Sequence, residues 1–273
     1  MTQTALDLDA YLARIGYSGP REATLAVLRD LHRLHAATIA FENLSPLIGA
    51  PVSLALPDIE AKLVRGGRGG YCYEHNTLLW AALAALGFQV VGLAGRVRWG
   101  APDDAPLRPR SHMALAVRLP EGPFVADVGF GGITMSGPLA LVPGDPQHTP
   151  HERFRIAEAP AGGFDLQAEI GPDWRTLYRF DLTPHLPIDY EPYNWTSATH
   201  PTSPFPRSLM AARALPGRRL TLSGARYTVR EAGKAPVERT LGSLDELGRV
   251  LEEDFGLTLP AGFERVGPKL GLQ

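Results

Sequence analysis

Apolar positions recur with a helical period through the first third of the chain. From Asp7 to Ile15, Leu8, Leu12 and Ile15 fall at i, i+4 and i+7, and Gly16 ends the run. Pro20 precedes a longer segment in which Leu25, Leu28 and Leu31 share one face, extended by Val27 and Leu34, which predicts a second amphipathic helix. Beyond a glycine-rich stretch, Leu79, Leu83 and Leu86 repeat the spacing, with Gly87 placed for a left-handed cap. Three such helices predict a small bundle.

From Phe88 the period falls to two. The segments FQVVGL, HMALAVRL and FVADVGF, each bounded by Gly or Pro, predict strands. Thr183 to Arg207 carries Pro184, Pro187, Pro192, Pro201, Pro204 and Pro206 and reads as an ordered connector poor in ladder hydrogen bonds. Further on, RLTLSG and ARYTVR predict a hairpin, and Ser243 with Glu246 forms a capping box opening a helix through Leu251. The pattern divides into residues 1–86, helical; 87–190, β; 191–210, connector; and 211–273, a mixed tail.

Charge and length narrow the class. With 273 residues, 27 basic against 29 acidic and a net charge of −2, nothing points to nucleic acid or to an anionic membrane surface. The longest nearly apolar stretch, Leu78 to Phe88, is too short to span a bilayer. The opening MTQTALDLDAYLAR lacks the basic and apolar regions of a signal peptide, and a lone cysteine excludes an intramolecular disulfide framework, so a reducing, cytoplasmic setting is expected.

That cysteine, Cys72, follows Gly66, Gly67, Gly69 and Gly70 and opens the third helix. A helix N-terminus favours thiolate over thiol, as would Arg65 or Arg68 nearby, and the glycines allow backbone N–H groups near Tyr71 to Tyr73 to face a developing oxyanion. A nucleophile of this kind needs a base and an orienting group. The turn Leu119-Pro120-Glu121-Gly122 pairs Leu119 with Gly122, so paired positions sum to 241 and His112 and Asp127 become diagonal neighbours on one face, about 7 to 8 Å apart. A slip of one residue would separate them. Val125, Ala126 and Val128 surround Asp127 with apolar side chains, so its carboxylate needs a partner. His32 and His35, and Cys72 with His75, share an i, i+3 spacing without a convincing metal set, and a solvated face is the expected role of the histidine pair.

The segments RGGRGGYCYEHN, SHMAL and VADVGFGG resemble the three signature segments of the arylamine N-acetyltransferases, and the stretch from about Tyr11 to Phe205 is similar throughout, YNWTSATHPTSPF included. The resemblance implies an α+β multi-domain fold: an N-terminal helical bundle, a central β-barrel and a C-terminal α/β lid around a cysteine-protease-like Cys-His-Asp core. It implies Cys72 as nucleophile, His112 as base and Asp127 as orienting residue. It also implies acetyl-coenzyme A as cosubstrate, no metal, and small aromatic amines, arylhydrazines or N-hydroxyarylamines as acceptors in a ping-pong xenobiotic acetylation. Phe130, Gly131, Gly132, Ile133 and Thr134 would border the coenzyme A cleft. Tyr71, Phe130 and Phe205 would wall the acceptor pocket, and Arg14, Glu42 and Arg65 would form a supporting charge cluster. Ala40 stands where the family usually shows proline. A related acyltransferase, amide synthase or thiol hydrolase, and a binding module with an idle triad, are the competing readings.

Overall fold

The structure is a computed structural model that describes residues 5–102, 104–160 and 162–273. Helix α1 (Leu8–Ile15) opens where the Asp7 carboxylate accepts from the Ala10 N–H, buries Tyr11, Leu12 and Ile15, and stops at Gly16 in the left-handed region. Helix α2 (Leu25–Thr38), capped by Thr24, buries Val27, Leu28 and Leu31. Strand β1 (Phe41–Glu42) and the single turns α3 (Leu44–Leu47) and α4 (Leu56–Ile59) follow, α4 running into a π-helical turn at Glu60–Arg65. Helix α5 (Cys72–Ala85) then crosses the core, and Gly87, at φ 84°, ends it as expected.

The β region is one eight-stranded sheet built from β2 (Gln89–Val97), β3 (His112–Leu119), β4 (Gly122–Ala126), β5 (Leu139–Ala140), β6 (Gln147–His148), β7 (Arg153–Glu158), β8 (Phe164–Ile170) and β9 (Asp173–Phe180). Its spatial order is β5-β4-β3-β2-β9-β8-β7-β6, which curls into a nearly closed barrel. A side chain bridges the gap between the two edges. Gln147 of β6 donates through Nε2 to the Ala140 carbonyl of β5 at 2.8 Å and accepts the Ala140 N–H at 2.7 Å, the pair of bonds a strand peptide would make. Both faces of β3 are covered up to Val117: Met113, Leu115 and Val117 pack with the helices, and Ala114 joins the barrel interior with Val125, Phe154 and Leu166, while Arg118 is exposed.

The expected connector holds a helix, α6 (Tyr190–Thr199), preceded by a 3₁₀ turn at Pro187–Asp189. The tail forms β10 (Met210–Leu215), β11 (Arg218–Ser223), β12 (Arg226–Glu231), β13 (Val237–Thr240), α7 (Leu244–Glu253) and α8 (Val266–Leu270). The β11–β12 hairpin and the Ser243 cap are as predicted, but Glu246 reaches back to the Gly242 N–H and not to Ser243. This sheet is not self-contained. Its order is β1-β10-β11-β12-β13, with Phe41 opposite Ala212, so residues from the first third supply an edge strand, and Ala40, Leu44, Leu47 and Ile48 lie in the tail's core. Among the described residues no helix is long and apolar enough to cross a membrane.

Candidate active site

Every β3–β4 pair sums to 241, from Leu119 opposite Gly122 to Leu115 opposite Ala126. By the strand alternation His112 shares the face of Ala114 and Asp127 that of Val125, the barrel-interior face. There His112 Nε2 donates to Asp127 Oδ2 at 2.7 Å, with both residues buried. Asp127 Oδ1 accepts two more bonds, from Asn76 Nδ2 and from the Gly129 N–H, each at 2.9 Å. The Asp127 N–H is itself donated to His32 Nε2 at 3.2 Å.

Cys72 is the first residue of α5, where the helix dipole favours an anion. It is 3% exposed, but hydrocarbon does not seal it: the Ser111 carbonyl lies 3.9 Å from Sγ, and the thiol sits close enough to His112 to help raise the imidazole. Because Asp127 occupies Nε2, Nδ1 is the His112 nitrogen left for sulfur. Gly129 lets the loop after β4 press on this point. A Cβ there would lie 2.7 Å from the Cys72 Cα, so the approach needs glycine.

Burial opposes charge on His112, but the Asp127 charge, their hydrogen bond and the contact with Cys72 outweigh it and raise the imidazole to about 10. For Asp127, burial pushes the carboxyl up, and the His112 charge with bonds from His112, Asn76 and Gly129 more than offsets this, holding it below the usual carboxylate range. The site is electrostatically a charged His112–Asp127 pair set beside the Cys72 sulfur.

Aromatic rings flank it. Phe130 meets His112 edge-on with centroids 5.2 Å apart, and Tyr178 lies 4.5 Å from His112. Tyr71 meets Phe205 edge-on at 5.2 Å, and Phe41 lies 6.4 Å from Phe205. Gly131, at φ 88°, sits against the Phe41 ring, and Gly132 faces Thr221 of β11. The Thr134 hydroxyl is committed within its own loop, donating to the Asp127 carbonyl at 3.3 Å and accepting the Phe130 N–H at 3.1 Å. Its carbonyl accepts from Arg219, which also pairs with Glu152.

Four expectations need correction. Arg14, Glu42 and Arg65 do not cluster: Arg14 donates to the Leu63 carbonyl, and Arg65, 56% exposed, pairs with Asp7 and Glu60. Glu42 takes Arg68 instead, at 3.0 and 2.6 Å, so neither arginine is committed to Cys72. Second, among the four glycines before Tyr71 only Gly67 has a positive φ. Gly69 and Gly70 are required because a Cβ would strike the Ala40 carbonyl and the Glu74 carboxylate, not to admit a substrate. Third, Tyr71 donates its N–H to Glu74 Oε2 at 3.1 Å, which removes it from the set of oxyanion donors. Fourth, His32 and His35 are fully buried, because α2 is covered on the side the pattern left polar. His35 accepts from the Tyr11 hydroxyl at 3.0 Å, and its Nε2 donates to His75 Nδ1 at 2.9 Å while His75 donates to the Ala40 carbonyl at 3.2 Å. That carbonyl terminus fixes the direction of the chain.

Asn76 and Glu74 escaped the reading of the sequence, as did the partners of His32 and Arg68. Asn76 left a signal: it stands four residues after Cys72, one turn along the same helix face. Among the described residues no three His, Cys, Asp or Glu side chains gather in a metal-binding group.

Comparison with known proteins agrees with this geometry. A family model described as N-acetyltransferase matches residues 24–263. The arylamine N-acetyltransferase of Mycobacterium tuberculosis is 43% identical over 258 residues, covering 93% of this chain and 90% of the relative, and that of Escherichia coli is 40% identical over 251 residues, covering 92% and 88%. The solved Mycobacterium marinum arylamine N-acetyltransferase superposes with a TM-score of 0.93 at 40% identity, covering 97% of this chain and 98% of that one. A second structure of that protein in complex with CoA superposes at 0.92, with the same identity and coverage. The chain belongs to the arylamine N-acetyltransferase family.

Proposed function

We propose that the protein transfers an acetyl group from acetyl-coenzyme A to arylamines, arylhydrazines or N-hydroxyarylamines through an acetyl-Cys72 intermediate. The observation that carries this reading is the Cys72–His112–Asp127 line, with the His112 Nε2–Asp127 Oδ2 bond of 2.7 Å at its centre. Cys72 sulfur, held as thiolate by the protonated His112, attacks the thioester carbonyl. The tetrahedral adduct collapses, the carbon–sulfur bond to coenzyme A breaks, and His112 gives its Nδ1 proton to the departing thiolate. In the second half the amine nitrogen attacks acetyl-Cys72 and His112 takes its proton. The Cys72 thiolate then leaves, restoring the ion pair. Asp127 holds one tautomer throughout and stabilises the imidazolium.

The acetyl donor fits the loop from Phe130 to Thr134, where Gly131 and Gly132 leave room for a pantetheine arm; the relative solved with CoA supports the choice of donor. Phe205 and Tyr71 supply a flat wall suited to an aromatic acceptor, with Phe130 on the His112 side. We assign the β10–β13 unit the role of lid, since Arg219 and Thr221 meet the loop after Asp127. We read the triad arrangement as cysteine-protease-like and keep the helical, barrel, connector and lid divisions at residues 1–86, 87–190, 191–210 and 211–273. A reducing cytoplasm suits a free catalytic thiol.

Intact mass spectrometry tests the assignment. The wild-type chain mixed with acetyl-coenzyme A gains one acetyl group and loses it on addition of an arylamine, whereas Cys72→Ala gains none. An acetyl-enzyme indifferent to amines would overturn the acceptor assignment.

A further inference from the structure

Phe205 lies in a segment with little main-chain support of its own. Pro201, Pro204 and Pro206 donate no hydrogen bond, and Arg207 and Ser208 N–H groups turn back on the Pro204 carbonyl. What ties this segment inward is one fully buried side chain from the far end of the sequence. Asn43 Nδ2 donates to the carbonyls of Phe205 and Ser208, each at 2.8 Å, and Asn43 Oδ1 accepts the Met210 N–H at 2.7 Å. All three bonds bridge more than 160 residues of sequence. An exposed bond from Lys269 to the Pro206 carbonyl and the bond of the Ser203 hydroxyl to the Ser197 carbonyl add to it.

The chemistry of the three partners selects an amide. Two carbonyls need donors and one N–H needs an acceptor, and asparagine offers both within one rigid group. A carboxylate in its place would set an oxygen against two carbonyl oxygens. Asn43 directly follows β1, whose Phe41 ring lies 6.4 Å from the Phe205 ring. One short stretch therefore fixes both an aromatic ring and the backbone of the ring opposite it. None of the Asn43 hydrogen bonds reaches Cys72, His112 or Asp127.

We propose that Asn43 is a positioning residue for acceptor selection: by fixing the main chain at Phe205 it sets the width of the aromatic wall and so discriminates among amines, while leaving acetyl loading of Cys72 unaffected. This rests on the reading of Phe205 as part of the acceptor wall.

The test separates the two half-reactions for wild type, Asn43→Asp, Asn43→Gln and Phe205→Leu. Single-turnover loading is followed with acetyl-coenzyme A alone, and KM and kcat with a graded series of narrow and wide arylamines. In Asn43→Asp, loading stays within roughly twofold of wild type while KM for amines rises about tenfold and the ratio of kcat/KM between wide and narrow amines shifts several-fold. Asn43→Gln, which keeps the amide but lengthens its reach, shifts the ratio in the same direction by less. The Asn43→Asp and Phe205→Leu shifts combine less than additively, because both act on one wall. An unchanged amine ratio in both Asn43 variants overturns the inference, as does a loading rate that falls in step with the acceptor rate. A wild-type chain that never acquires acetyl overturns the proposed function itself, an outcome distinguishable from both.

Discussion

Asn76 Nδ2 donates to Asp127 Oδ1 at 2.9 Å and to the Met113 carbonyl at 2.7 Å, so a residue one turn past the cysteine grips both strands that carry the other two members of the site. Its own carbonyl accepts the Val128 N–H at 3.1 Å. Asn76→Ala should slow acetyl loading of Cys72 by about 5- to 100-fold, the range expected when a buried carboxylate loses one donor worth ~1–3 kcal/mol. Stopped-flow loading beside a thermal melt measures both effects, and a full loading rate would remove Asn76 from the orienting role.

Alkylation of Cys72 reports the ion pair directly. With His112 raised to about 10, the imidazolium persists across the neutral range and presents a positive charge to the Cys72 sulfur. Iodoacetamide should therefore alkylate Cys72 faster in the wild type than in His112→Ala at neutral pH, because a neighbouring imidazolium favours the reactive thiolate. Equal alkylation rates in the two proteins would contradict the role given to His112.

Acid sensitivity has a separate source. Burial is the largest influence on His32, His35 and His75 and holds all three below the ordinary imidazole value, with His32 and His75 at about 4 and His35 well down. An unfolded chain takes up these protons near 6.5 and the folded chain does not, so their contribution to stability is complete above 6.5 and is lost as pH falls toward 4. His32 and His75 each account for roughly 3 kcal/mol across that window. Urea midpoints measured at pH 7.5 and pH 5 should differ clearly; equal midpoints would mean that these rings are solvated.

Removing Arg68 should hurt far more than removing Arg65. Glu42 is 1% exposed, and the nearby charges of Lys62 and Arg68 with the Leu44 N–H hold it ionised against its burial. Arg68→Met strands that carboxylate at a cost of about 3–5 kcal/mol, while Arg65→Met removes a half-exposed guanidinium whose pairs with Asp7 and the buried Glu60 are screened by solvent on its own side, a smaller loss. Chemical denaturation of the two variants gives the comparison, and equal losses would refute the distinction.

These contrasts show which parts of the molecule could be read from its residues. The His112–Asp127 alignment was legible because a tight Pro-Glu-Gly turn fixes register, and register alone decides which side chains share a face. Strand β1 was not, since two residues carry no period. Helix α6 hid behind its prolines and mixed polarity. The arginine partner of Glu42 depends on the π-turn and the glycine loop beyond it, where three-dimensional path and sequence distance part company. His32 and His35 on α2 find buried partners in the Asp127 N–H and in Tyr11 and His75, so polarity gave no clue to depth.

Because Gln147 closes the barrel with a side chain, the seam depends on a single residue that is replaceable without breaking any strand's own ladder. Gln147→Leu would leave β5 and β6 as two bare edges whose amides and carbonyls match those of another copy. Its first symptom would then be self-association at high protein concentration, with acetylation in dilute solution little changed.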